Sequence, residues 1–160
     1  MPARVTLISQ GATLATREAA FPGDEPLEAR AFALLRGASE TRWRADRVEV
    51  SPSLAARQTA AALSLEGVVN PALRDWGHGR WAGQRVADIG ASEAENLARW
   101  RADPDFAPDG GETRAALSDR AWRWLSEQSA TAGPVVAVAP AAAPAATAGG
   151  RDVVKMNPGA

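Results

Sequence analysis

Short β-prone runs alternate with segments of helical periodicity along the chain. The most constraining run is residues 134–138, Pro-Val-Val-Ala-Val, because an almost continuously apolar strand is typical of a sheet covered on both faces. Shorter runs at 4–8, 47–50 and 67–69 predict further strands. Because helical segments lie between most of these runs, the sequence predicts an α/β fold with a mainly parallel sheet.

Helices are predicted between these strands from apolar spacing, good helix formers and capping residues. The predicted helices run from Leu27 to a stop at Gly37, from Leu54 to Leu63, over short stretches near 86–89 and 93–100, and onward from Glu112.

The C-terminal tail has a weaker pattern than the rest of the chain. Residues 139–150 are rich in Ala and Pro, which permits a helix near Pro144, and a last short strand at 152–156 is left open.

Composition limits the classes of protein to which the chain can belong. Its 160 residues are 46% hydrophobic, which predicts one domain spanning 1–160. The formal net charge is −1 and the basic residues are dispersed, so we expect neither nucleic acid nor a membrane as a partner. With no cysteine and a single histidine, no metal site and no cofactor are predicted. No long apolar run is present, and the Arg- and Ala-rich usage is typical of GC-rich genomes; we therefore expect a soluble, cytoplasmic, bacterial protein.

Five segments occur in an order and spacing that match one known family. They are 5–13 (VTLISQGAT), 50–63 (VSPSLAARQTAAAL), 73–83 (LRDWGHGRWAG), 109–113 (DGGET) and 135–141 (VVAVAPA). Together they resemble the histidine phosphatase (phosphoglycerate mutase-like) superfamily over nearly the whole chain. The resemblance implies a three-layer αβα sandwich around a mainly parallel sheet, with a shortened C-terminal part.

The resemblance also implies that the family's phosphate chemistry has been lost. Gln10 stands at the position of the nucleophilic histidine and Ser9 at that of the preceding arginine. Ala55 replaces a phosphate-holding arginine, Pro140 replaces the second catalytic histidine, and Asp75 falls at the position of the general acid. An amide nitrogen cannot attack phosphorus as an imidazole does, since its lone pair is delocalised into the carbonyl. Similarity to the family therefore implies a degenerate member.

Arg57 is the arginine nearest to the altered phosphate position at Ala55. It lies two residues further along the predicted helix, and at about 100° per residue it points to roughly the opposite side. We expect it to be a poor substitute for the missing arginine.

The favoured interpretation is a binding or regulatory pseudoenzyme without phosphatase or mutase activity. Its ligand would be a protein or a neutral small molecule bound at the carboxyl ends of the strands, and a homodimer is left open. The predicted ligand-binding residues are Ser9, Gln10, Gly11, Asp75 and His78.

Two of these residues have alternative interpretations. An enzyme of altered chemistry would use Asp75 together with His78. The simpler interpretation makes His78 a partly exposed loop residue and gives Asp75 a structural role, pairing with an arginine or capping a backbone N–H.

Overall fold

A five-stranded parallel sheet forms the centre of the molecule. In the computed structural model, which describes residues 4–39, 43–142 and 154–156, the strands are β1 (Arg4–Ser9), β2 (Arg47–Val50), β3 (Val68–Val69), β4 (Pro134–Ala139) and β5 (Val154–Met156). Their order is β3-β2-β4-β1-β5, and every neighbouring pair is parallel. The predicted α/β fold with a mainly parallel sheet is confirmed.

Within the described ranges, six α-helices connect and cover these strands. They are α1 (Leu14–Glu18), α2 (Ala29–Gly37), α3 (Leu54–Ala62), α4 (Val86–Ser92), α5 (Ala94–Ala102) and α6 (Arg114–Ser129). Single 3-10 turns occur at Pro71–Leu73 and Gly79–Trp81. None of the helices in the described ranges is long and apolar enough to cross a membrane.

The two faces of the sheet are buried against different helices. Side chains alternate between faces along a strand, so neighbouring residues of β4 enter different cores. Val136 and Val138 pack in one cluster with Leu35 of α2, whereas Ala137 packs in another with Trp124 of α6. Helices on both faces of one sheet form the predicted αβα layers, and they explain why β4 is apolar along its whole length.

Two helices begin at side-chain caps that the sequence supplies. The Ser53 hydroxyl accepts a hydrogen bond from the Ala56 N–H at the start of α3, and the Thr113 hydroxyl accepts one from the Ala116 N–H at the start of α6. Such caps satisfy backbone donors that have no partner inside the first turn. They fix where α3 and α6 start, beside the carboxyl edge of the sheet.

The structure corrects the boundaries of several predicted elements. The helix predicted from Leu27 begins at Ala29, because Leu27 forms an isolated antiparallel bridge with Thr13, and it ends at Gly37 as predicted. The five-residue α1 lies in a segment predicted to be loop. The strand left open at 152–156 is present as β5, while the helix considered near Pro144 lies outside the described residues.

Candidate active-site cavity

A cavity of about 840 Å³ opens beside the carboxyl ends of β1 and β4. These strands are neighbours and pair in register from Arg4 with Pro134 to Ser9 with Ala139. The backbone continues this pairing one residue further, where the Gln10 N–H donates to the Ala139 carbonyl at 2.9 Å. Ligands of open α/β sheets bind at this edge, because strands end there and the loops that follow are free to carry functional groups.

Most of the residues selected from the sequence lie on the wall of this cavity: Ser9, Gln10, Gly11, Asp75, His78 and Pro140. The exception is Ala55. It lies in the first turn of α3, is only 2% exposed and is not among the lining residues. The site is thus assembled from the ends of two central strands and from the loop that follows Leu73.

Gln10 is oriented by a hydrogen bond across the edge of the sheet. The Ser53 hydroxyl donates to Gln10 Oε1 at 2.9 Å, while its oxygen accepts from the Ala56 N–H, so one serine both caps α3 and holds the glutamine. The Gln10 amide nitrogen has no hydrogen-bond partner within the described ranges and is available as a donor. Gln10 can therefore bind a polar group, but it cannot act as a nucleophile.

Asp75 is a half-buried carboxyl whose charge is poorly compensated. Burial raises its pKa from 3.8 to about 6, although the Trp76 N–H, which donates to Asp75 Oδ1 at 2.7 Å, and the Arg120 charge both act to lower it. Repulsion from Glu25 and Glu112 adds to the effect of burial. A carboxyl with a pKa near 6 exchanges its proton close to neutral pH.

Arg120 of α6 fixes the backbone of the loop that carries Asp75. Its guanidinium donates to the carbonyls of Ala72, Arg74 and Asp75 at 2.9, 2.9 and 3.3 Å. It also forms a two-pronged pair with the Glu112 carboxylate at 3.0 and 2.7 Å. Burial tends to raise the pKa of Glu112, but hydrogen bonding and charge from Arg120 outweigh burial and hold that pKa below its usual value. Arg120 was not among the site residues predicted from the sequence. Its position within the apolar stripe of a helix indicates a buried role for its charge.

His78 is buried, which corrects the expectation of a partly exposed loop residue. Its exposed fraction is 7%, because its ring packs against Phe21 and Trp76 with centroids 5.0 and 5.1 Å apart. Burial lowers its pKa from 6.5 to about 4, an effect that Glu112 only partly offsets. The Nδ1 atom is buried and has no hydrogen-bond partner among the residues that the structure describes. At neutral pH the cavity wall therefore carries an uncharged imidazole.

Asp75 and His78 share this cavity but are not joined. No hydrogen bond links their side chains in the part of the chain that the structure describes, and the Asp75 carboxyl accepts only from the Trp76 backbone. The predicted partnership of the two groups in proton transfer needs such a contact, directly or through a bound molecule.

Gly79 permits the close approach of two loops beneath His78. Its φ is +53°, and a Cβ on it would lie 2.2 Å from the Asp109 carbonyl oxygen. The His78 backbone bridges to Gly111, so the glycines of 73–83 and 109–113 meet here. Only glycine fits this crossing, which accounts for the spacing seen in both segments.

Arg57 does not reach the cavity. It is exposed on α3 and lines a separate open groove with Val50, Leu65 and Val69 near the β3 edge of the sheet. This is the placement that helix geometry predicts two residues after Ala55.

Comparison with known proteins identifies the fold family of this site. The sequence profile of the histidine phosphatase superfamily (branch 1) matches residues 11–146. The chain belongs to this superfamily. A search of curated protein sequences gives no match.

Solved structures of similar fold include several hydrolases. Mycobacterial hydrolase 1 is 26% identical, with 89% of this chain and 77% of the other covered and a TM-score of 0.77. Mycobacterial glucosyl-3-phosphoglycerate phosphatase, solved with VO3, is 26% identical over 89% of this chain and 78% of the other, with a TM-score of 0.74. The α-ribazole phosphatase of Shigella flexneri is 25% identical over 88% and 74%, with a TM-score of 0.71. This histidine phosphatase superfamily member therefore has phosphatases among its structural neighbours.

Proposed function

We propose that this member of the histidine phosphatase superfamily is a binding protein that lacks phosphatase and mutase activity. The observation that carries the proposal is Gln10. It occupies the end of β1, where the resemblance places the nucleophilic histidine, and Ser53 holds its amide oxygen in place. An amide donates and accepts hydrogen bonds but forms no phosphoryl intermediate.

The groups around Gln10 offer no replacement for the missing nucleophile, and the arginine on the cavity wall, Arg30, is exposed on α2. Pro140, which follows β4, has no titratable side chain, and the Ser9 hydroxyl has no hydrogen bond to a base in the described ranges. Phosphoryl transfer depends on positive charge around the transferring oxygens. Ala55 and Ser9 stand where the resemblance places the two arginines that supply it, and Arg57 faces another groove.

A second candidate is phosphatase activity itself, which family membership and the phosphatases among its structural neighbours favour. It would need a nucleophile other than histidine at the end of β1. A third, an enzyme that pairs Asp75 with His78, has the cavity in its favour. Against it, no hydrogen bond joins the two groups in the described part of the chain, and a pKa of about 4 makes His78 a weak base at neutral pH.

Phosphate hydrolysis distinguishes these candidates. The purified protein is incubated with p-nitrophenyl phosphate and with a sugar phosphate, and product is measured against a buffer blank. We expect no release above the blank. Turnover that disappears in the Gln10→Ala variant and in the Asp75→Asn variant would overturn the proposal.

The two variants also exclude a contaminating phosphatase. Activity that is equal in the wild type, Gln10→Ala and Asp75→Asn comes from elsewhere, since both substitutions change the cavity wall. A superfamily member that retains both catalytic histidines serves as the positive control for the assay.

A further inference from the structure

The charges on the cavity wall differ in how well they are compensated. The charged residues that line it, within the described part of the chain, are Glu28, Arg30 and Asp75, since His78 is neutral at pH 7. Glu28 is neutralised by Arg17, whose Nε lies 2.7 Å from Glu28 Oε1. Arg30 is exposed on α2, where water and salt screen its charge. The Asp75 carboxylate is the least compensated charge.

Asp75 lies close to an arginine that is occupied with other groups. Arg120 directs its donors to the Asp75 backbone carbonyl and to the Glu112 carboxylate. Among the described residues, the Asp75 carboxyl accepts a hydrogen bond only from the Trp76 N–H. A half-buried carboxylate with no cation paired to it in the described ranges is unfavourable, and the cavity leaves space in which a cation from outside can meet it.

The rest of the wall suits the uncharged part of such a ligand. Pro140, Ala141, Leu34 and Leu35 contribute apolar surface, while the Gln10 amide nitrogen remains as a hydrogen-bond donor. His78 is nine-tenths buried, and no group in the described ranges forms a hydrogen bond with its Nδ1, which leaves one polar atom of the ring unsatisfied there. Because this imidazole is uncharged at neutral pH, it does not repel a cation beside Asp75.

We infer that the cavity binds an organic cation, a ligand whose protonated amine pairs with the Asp75 carboxylate while its apolar part lies against Pro140 and the residues of α2. This inference rests on the proposed function, in which the former phosphate pocket is retained as a binding site. It reverses the charge of the ligand, from the anion of the superfamily's phosphate chemistry to a cation.

The test uses butylammonium chloride as the probe. The comparisons are 1-butanol in sodium chloride, sodium phosphate, and sodium chloride alone, and all four solutions have the same ionic strength. Binding is followed by thermal unfolding and by the NMR signals of the His78 ring. At pH 7.5 we expect butylammonium to raise Tm and shift the His78 signals, and the three comparison solutes to leave the His78 signals unchanged. A shift of the His78 signals in phosphate, or equal effects of butanol and butylammonium, would contradict the inference.

Two variants with the same change in net charge test the role of Asp75. Asp75→Asn is expected to weaken butylammonium binding at least tenfold, whereas Asp119→Asn, which removes an exposed carboxylate of α6, leaves it unchanged. Equal affinity in Asp75→Asn and wild type would overturn the inference. Circular dichroism confirms that both variants are folded before binding is compared.

The pH dependence of binding gives a second readout. Protonation of Asp75, with its pKa of about 6, is expected to weaken butylammonium binding about tenfold at pH 5 relative to pH 7.5. The other charged groups around Asp75 are Glu25, Glu112 and Arg120, and His78 has a pKa of about 4. Affinity that stays constant from pH 7.5 to 5 would count against Asp75 as the partner.

The outcomes separate this inference from the proposed function. Hydrolysis of phosphate esters at this site would rule out the proposed function, whether or not butylammonium binds. If the protein is inactive and does not bind butylammonium, the proposed function stands and only the inference about the cation is wrong.

Discussion

At the scale of single residues, Asp75 couples the cavity to the stability of the fold. Its pKa of about 6 in the folded protein lies above the ordinary value of 3.8, so the folded state holds this proton more tightly than the unfolded state does. The resulting stabilisation is fully present below pH 3.8 and is lost as the pH rises through 6. At neutral pH the half-buried Asp75 carboxylate is therefore unfavourable.

We expect Asp75→Asn to stabilise the protein at pH 7.5, because the amide retains the Trp76 hydrogen bond and carries no charge. The free energy of unfolding is expected to rise by roughly 1–2 kcal/mol at pH 7.5 and by much less at pH 4.5. Urea unfolding at both pH values measures the difference, with Asp119→Asn as the matched control. An equal change at the two pH values would rule out titration of Asp75 as the cause.

The position of Asp75 could be predicted from sequence, but its surroundings could not. The spacing of Asp75 and the glycines within residues 73–83 places the carboxyl in the family pattern. The burial of His78 depends on Phe21, Trp76 and Trp100, which come from three separate segments. No local sequence pattern indicates contacts between such distant segments. His78 was therefore predicted to be partly exposed, as loop histidines generally are.

At the scale of elements, α6 determines the geometry of the loop on the cavity wall. Arg120 joins the helix to the carbonyls of Ala72, Arg74 and Asp75 and to the Glu112 carboxylate. We expect Arg120→Ala to destabilise the protein by about 2–3 kcal/mol, because three loop carbonyls lose their donor and the half-buried Glu112 is left with the exposed Arg74 as its cation.

The exposed Arg123 on the same helix provides the control. Arg123→Ala is expected to change the free energy of unfolding by less than about 0.5 kcal/mol. Urea unfolding of both variants gives the comparison, and similar losses would mean that helix propensity, and not the contacts of Arg120, accounts for the effect.

Elements with strong local signals were predicted closely, and those set by distant contacts were not. The run 47–50 coincides with β2, and the apolar run 134–138 is extended by one residue in β4. The start of α2 was misplaced because the Thr13–Leu27 bridge joins residues that are far apart in sequence. With only five residues, α1 is too short to show helical periodicity.

At the scale of the whole molecule, the retained architecture predicts that phosphate binding is recoverable. We expect the combined variant Ser9→Arg, Gln10→His, Ala55→Arg and Pro140→His to gain stability in phosphate. At a phosphate concentration 100 times the Kd, binding contributes about 2.7 kcal/mol, which raises Tm by roughly 5–10 °C. Thermal unfolding with and without phosphate measures this.

Ala55 makes this a demanding test. Because Ala55 is 2% exposed, an arginine there must displace its neighbours, so the variant with the other three substitutions is measured in parallel. No phosphate-dependent shift in either variant would mean that the cavity has lost the shape of the superfamily's phosphate site.

The burial of His78 turns the one imidazole of the chain into a spectroscopic probe of the cavity. With a single histidine in 160 residues, its ring protons give signals that no other histidine can obscure. The aromatic rings of Phe21, Trp76 and Trp100, with centroids 5.0, 5.1 and 6.0 Å from its own, should displace those signals by ring-current fields. A molecule entering the cavity alters these fields, so two resonances of an unlabelled sample report occupancy for any candidate ligand.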